Sequence, residues 1–212
     1  MATYSNGILG AFSGTIGNVV GSSWKGIPVI RSKPIRKKTG HSVLQEERRA
    51  RFLLMSKFLR PLTDLFNQTF QKSAVGMSCF NKAFSINKQS ITGNYPSIAI
   101  DFPRIALSKG RLPLGEPPTI SSPESGKLLL SWKTGDGINS LLTNGSAFIA
   151  VYNEEFGRWI FGQHFIAEGN SSFMLDVIPF SGRPVQTYIG FISKGCQKIS
   201  ESRYMGVIQV LS

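Results

Sequence analysis

Residues 127–133 read Lys-Leu-Leu-Leu-Ser-Trp-Lys. So short an apolar run, closed by an aromatic residue and followed by turn residues, predicts a buried strand. Downstream, similar stretches recur at 147–152, 158–166, 172–177, 185–193 and 203–211. Turn signals separate them at Asp136-Gly137, Asn144-Gly145, Phe156-Gly157, Glu168-Gly169-Asn170 and Ser181-Gly182. No helix-period stretch intrudes. This pattern predicts a small antiparallel β-sandwich over residues 124–212.

Upstream of the sandwich the pattern changes. Pro113, Pro117, Pro118 and Pro123 make 113–123 the expected linker between domains. Before it, Leu44, Phe52, Met55, Phe58, Leu59, Leu62, Leu65 and Phe66 recur at helical steps over about 42–66. Ser42 is the candidate N-cap, Glu46 and Glu47 suit the positive helix end, and Pro61 should kink or split the helix near Arg60. A second helix is expected over about 73–87, from Val75, Cys79, Phe80, Ala83, Phe84 and Ile86. Short strands interrupted by Pro103 are expected over 98–108. The expected fold class is α+β, mainly β, with a basic N-terminal module over 1–112 and the sandwich after it.

The first residues carry Gly7, Gly10, Gly14, Gly17 and Gly21, spaced three and four apart. That spacing would align one stripe on a helix, but each glycine costs a soluble helix about 1 kcal/mol against alanine. Thr15, Ile16, Val19 and Val20 favour strands instead. The expectation is a β arm over 7–31 with a hairpin of Val19–Ser22 and Ile27–Arg31, turning near Ser23-Trp24-Lys25-Gly26. Pro28 then requires an edge or a non-bonded position. So thin a segment must lie against its own chain or a neighbouring subunit, and both remain open. As a candidate assembly arm its key residues are Gly10, Gly14, Gly17, Val19, Val20, Gly21, Trp24, Ile27, Val29 and Ile30.

The chain has 212 residues, and 41% hydrophobic composition excludes wholesale disorder. Its net charge of +12 is uneven: residues 1–60 hold 11 Lys/Arg and 2 acids, whereas 111–212 hold 8 of each. The candidate basic patch is Lys25, Arg31, Lys33, Arg36, Lys37 and Lys38 in and after the arm, followed by Arg48, Arg49 and Arg51. A basic linker is expected over 32–41. Nucleic acid, an anionic membrane or an acidic partner surface could each use such charge. No zinc finger or RNP motif singles out one of them.

Catalytic chemistry is not assembled. His41 and His164 stand apart, Cys79 and Cys196 read as reduced thiols, and Glu154-Glu155 read as a solvated pair on a turn. Asp101 and Asp176 have no visible partners. No nucleophile elbow, phosphate loop or paired metal ligands occur. No cofactor, metal or small-molecule substrate is expected, and the chain is not expected to be an enzyme. The start lacks a positive n-region, and no stretch reaches the roughly 18 apolar residues of a membrane span. Synthesis in the cytosol is expected, with assembly into a virus particle or non-classical export open beyond that.

Leu129-Leu130-Ser131-Trp132 resembles the second strand of a fibronectin type III or immunoglobulin-like domain. The resemblance implies that Trp132 fills the sandwich core and that Tyr188, in Thr-Tyr-Ile-Gly-Phe, packs near it. No Cys–Cys pair bridges the sheets, so an antibody-type domain is not implied. Over nearly its full length the chain also resembles an uncharacterised family of bacterial proteins, frequent in Bacteroidota. The matching stretches are 6–10, 17–26 (Gly-Asn-Val-Val-Gly-Ser-Ser-Trp-Lys-Gly), 29–32, 95–101 and 107–110. That resemblance implies one recurring unit and no activity.

The leading expectation is a non-enzymatic structural protein that self-assembles into a filament, shell or phage-like particle through the arm. A nucleic-acid-binding protein using residues 25–60 is the first alternative. A carbohydrate- or protein-binding module is the other, with Tyr152, Phe156 and Trp159 as an aromatic platform.

Overall fold

A computed structural model describes residues 2–3, 12–35, 40, 42–113, 118–132, 145–166 and 172–212. The chain divides into two compact units, Met1–Ser42 and Val43–Ser212.

The first unit is a four-stranded antiparallel sheet. Its strands are β1 (Ala2–Thr3), β2 (Gly14–Ile16), β3 (Val19–Trp24) and β4 (Ile27–Ser32), in the order β1-β4-β3-β2. From Gly14 onward the glycine-spaced segment is strand, turning at Gly17-Asn18, as its β-branched residues predict. Lys25 and Gly26 both have positive φ, 50° and 80°, which makes the β3–β4 link a two-residue type I′ turn. Such a turn matches the twist of its strands, so β3 runs two residues further than the sequence predicts. Among the described residues β1 pairs with Ile30 and Val29 and stops short of Pro28.

The second unit opens with α1 (Val43–Leu59), a 3₁₀ turn over Arg60–Leu62 with Pro61 at its start, and α2 (Thr63–Thr69). The predicted split at Pro61 is therefore a tightened turn, where the missing N–H breaks the α ladder. α3 (Cys79–Asn87) begins six residues later than predicted. Ser78 supplies its N-cap, with its Oγ accepting from the Asn81 N–H at 3.1 Å. β5 (Ile91–Thr92) and β6 (Ala99–Ile100) form a small pair. The strand expected after Pro103 is absent: Phe102–Arg104 is a 3₁₀ turn, and the chain from Ile105 to Ser108 is not a strand. Side chains pair its backbone instead. Asn87 holds the N–H and C=O of Ala106 at 2.7 and 2.9 Å, and Ser202 Oγ accepts from the Leu107 N–H at 2.8 Å.

Seven strands follow: β7 (Thr119–Ser121), β8 (Lys127–Ser131), β9 (Ser146–Asn153), β10 (Arg158–Phe165), β11 (Ser172–Asp176), β12 (Pro184–Ile192) and β13 (Arg203–Gln209). Six of them fall where the sequence predicts; β7 was hidden within the proline-rich stretch. They form two antiparallel sheets, ordered β11-β8-β7 and β10-β9-β12-β13. The expected turns at Asp136-Gly137 and Glu168–Asn170 lie outside the described residues.

Two cores share the four-stranded sheet. On one face Ala147, Ile149 and Val151 of β9, with Val185, Ile189 and Phe191 of β12, pack against Leu128, Leu130 and Trp132. On the other face Phe148 and Ala150 of β9 and Tyr188 of β12 pack against Met55, Phe58, Leu59, Leu62, Leu65 and Phe66. Both follow from period-two alternation in strands that are apolar at odd and even positions alike. The unit is therefore three layers: helices, four strands, three strands.

This arrangement corrects two expectations. The stretch 113–123 is not a domain boundary, because the helices and both sheets belong to one unit and the division falls after Ser42. Leu112 is buried in the inter-sheet core and bridges to Ser200, and β7 begins directly after Pro118. Tyr188 does not join Trp132 in the sandwich core. Trp132 packs on Phe191 at 5.8 Å between the sheets, whereas Tyr188 lies on the opposite face. There the Tyr188 hydroxyl donates to the Phe102 carbonyl at 2.9 Å.

Candidate functional site

In the first unit, strand register decides which predicted residues act together. Val20, Ser22 and Trp24 of β3 lie directly opposite Arg31, Val29 and Ile27 of β4. Paired residues share a face, so these six side chains occupy one side of the sheet. The other side carries Val19, Gly21 and Ser23 opposite Ser32, Ile30 and Pro28, extended by Gly14 and Ile16 of β2. Glycine at position 21 is required there. A Cβ would stand 2.4 Å from the Phe12 carbonyl oxygen and 2.6 Å from its ring.

This sheet buries little. Among its described residues Val29 is the one buried large apolar side chain, while Ile16 (65% exposed), Val19, Trp24 (60%) and Ile27 are open to solvent. β2, the outer strand of the described sheet, is exposed at all three positions. Beside Trp24 lies a shallow cavity of about 410 Å³, lined by Ser22, Ser23, Trp24, Val29 and Arg31. The Lys25 ammonium sits 5.5 Å from the indole centroid. Arg31 and Lys33 are exposed, and the Lys33 N–H still bonds Asn18 O at 2.7 Å. The sequence reading named Trp24 and Arg31 separately; Ser22, between them on that face, it did not single out. Gly10, Arg36, Lys37, Lys38 and His41 lie outside the described residues.

The second basic cluster divides on α1. Arg51 is tied into the fold: it pairs with Glu47 at 2.9 Å and donates to the carbonyls of Ile91 and Gly93 at 3.2 and 2.7 Å. Arg48 and Arg49 are exposed and flank Phe52 and Leu53, also exposed. Only these two of the three arginines offer their charge to solvent.

The aromatic trio also divides. Trp159 donates from Nε1 to the Phe58 carbonyl at 2.7 Å and lies 5.0 Å from Tyr152, within the packing between sheet and helices. Phe156 lines a groove with Tyr152 but stacks on Phe180, with the Arg183 guanidinium 4.6 Å from its ring. The three do not form one platform. A groove of about 330 Å³ runs past Tyr152 between Lys57 of α1 and Glu154.

Four further titratable residues are engaged structurally. His164 stacks on Phe173 at 5.0 Å, Glu154 accepts from Gln186, Glu155 pairs with Arg183, and Asp101 pairs with Arg104. Burial pushes the phenols of Tyr188, Tyr152 and Tyr204 above their ordinary range. Among the described residues no three His, Cys, Asp or Glu side chains gather as metal ligands, and no helix is long and apolar enough to cross a membrane.

Residues 11–206 match DUF6266, a family of unknown function. The chain belongs to this family. The DUF6266 match begins just before Phe12 and takes in the hairpin, the helices and nearly all of both sheets. No curated protein matches the chain.

Proposed function

We propose that this DUF6266 protein is a non-enzymatic assembly component, and that its N-terminal sheet is the part that joins one copy of the chain to another. The observation that carries this reading is the sheet's poor burial: one buried large apolar side chain among its described residues, with Ile16, Val19, Trp24 and Ile27 exposed. A small sheet needs a packed apolar face to be stable in water. Each exposed apolar side chain contributes about 1.5–3 kcal/mol on full burial. β2 offers the means: it is the outer strand among the described residues, and an outer strand presents N–H and C=O groups to a neighbouring strand. Its Ile16 stands beside Val19 across the Gly17-Asn18 turn, which gives the docking edge an apolar face. Heterologous pairing that does not close yields a filament, and pairing that closes yields a ring or shell.

We read the second unit as the body that such an arm connects. Three strands packed on four, with Trp132 between them, support the immunoglobulin or fibronectin III-like reading of its two sheets. The helical layer on the outer face is an addition to that plan.

Light scattering on the full chain tests the assembly reading. The expected result is association that grows with concentration, and dissociation when Ile16→Lys and Val19→Lys charge the β2 edge. A strictly monomeric full-length protein up to several hundred micromolar would overturn it.

A further inference from the structure

The face of the N-terminal sheet opposite Ile16 and Val19 carries a different chemistry. Trp24 is 60% exposed, though indole is among the side chains that gain most from burial. Cations surround it: Lys25 lies 5.5 Å from the ring centroid, and Arg31 lines the same cavity of about 410 Å³. Lys33 follows two residues after Arg31 and continues the period-two register. Ser22, between Trp24 and Val20 on that face, adds a hydroxyl.

The charge around this face is uncompensated. Residues 1–42 contain six Lys/Arg and no Asp or Glu. An exposed aromatic ring on a sheet, flanked by cations in a unit whose own residues include no carboxylate side chain, combines a stacking surface with a track for a charged backbone. An acidic protein surface would use the charge but leave the indole without a partner. A duplex hides its base faces in the stack, so it would use the charge alone.

We propose that this face, through Trp24, Lys25, Arg31 and Lys33, binds single-stranded nucleic acid, with Trp24 stacking on a base and the three cations following the phosphates. The proposal does not depend on self-association, because it uses the side of the sheet that does not carry Ile16 and Val19.

The test is titration of the full chain with a twenty-residue oligothymidylate at low salt, with heparin and phosphatidylserine vesicles as base-free anionic probes. Binding is expected to weaken with salt at a log–log slope of about −2, from three phosphate contacts on a single strand. Trp24→Ala should weaken oligothymidylate binding by about five- to a hundredfold, the range for losing one base stack. Trp24→Phe should retain most of it, and heparin binding should change little in either variant. Arg31→Gln should reduce the slope by about 0.7.

Equal losses for oligothymidylate and heparin on Trp24→Ala would overturn the proposal, as would an unchanged oligothymidylate affinity. Equal losses for Trp24→Ala and Trp24→Phe would remove the stacking argument. Binding to the vesicles without binding to the oligonucleotide would assign the face to an anionic membrane surface. No retention of oligothymidylate at low salt would dispose of the idea altogether.

Discussion

Replacing Phe58 by alanine tests whether the helices and the two sheets are one folding unit. Phe58 is buried near the end of α1 and meets Tyr152 edge-on at 4.8 Å, Trp159 at 4.9 Å and Phe102 at 6.1 Å. Truncation removes the transfer term of a buried ring and leaves a cavity under three aromatic neighbours, a loss of about 3–5 kcal/mol. For a unit of this size each kcal/mol lowers Tm by about 2–4 °C, so the expected fall is on the order of 6–20 °C. The location of that loss is the informative part. Phe58 never touches the three-stranded sheet, yet β9 and β12 carry side chains into both cores. Destabilising one face of that sheet must therefore destabilise the other. The assay is thermal unfolding by circular dichroism at 222 nm, with hydrogen exchange followed in β8, where Leu128 and Leu130 are fully buried. Both signals should shift together. If the helical signal melts early while β8 keeps its wild-type protection, the helices are a separate domain and the three-layer account fails.

Two further substitutions probe particular bonds. Asn87 is fully buried and holds both the N–H and the C=O of Ala106, so Asn87→Ala leaves two backbone groups unpaired in the interior. A loss of roughly 2–4 kcal/mol is expected by chemical denaturation, and a loss below about 0.5 kcal/mol would show that water replaces the amide. Burial raises the Tyr188 phenol above its ordinary value of 10.0, so the unfolded chain ionises first. Its stabilising contribution is complete below pH ~10 and is lost as pH rises beyond that. Tyr188→Phe should flatten the alkaline fall in stability while lowering stability at neutral pH by about 1 kcal/mol, through loss of the bond to Phe102. An alkaline profile identical to wild type would refute that assignment.

Much of the second unit was legible because alternation is a strong signal. What went unread was the meaning of its absence. β9 reads Ser-Ala-Phe-Ile-Ala-Val-Tyr-Asn, with no polar residue between its ends. A strand covered on one side alternates; a strand apolar at every interior position has both faces covered. The helical layer was thus implied within the sandwich itself. The prolines of 113–123 misled for a related reason. Proline marks where a chain cannot donate a ladder bond, not where it leaves a core. Leu112 is buried and β7 joins its sheet as a three-residue outer strand, a position that tolerates neighbouring prolines. Tyr188 was misplaced by the same one-face assumption, since a single step along β12 exchanges one core for the other.

In the first unit the relevant residues were visible in the sequence but their grouping was not. Trp24 and Arg31 are seven positions apart and share a face only because Lys25-Gly26 closes the hairpin in two residues. A slip of one residue would turn the whole of β4 over and move Arg31 to the side of Val19 and Ile16. The turn therefore fixes more than the hairpin. It places an exposed indole with cations on one side of a thin sheet and leaves exposed aliphatic residues at the outer strand on the other. A sheet with a packed core under one face could not present both surfaces. The weak burial of this unit underlies both proposals, since Ile16 and Val19 are exposed on one side and Trp24 and Arg31 on the other. Lengthening the turn by one residue should weaken oligothymidylate binding, while charging the β2 edge should disturb only association.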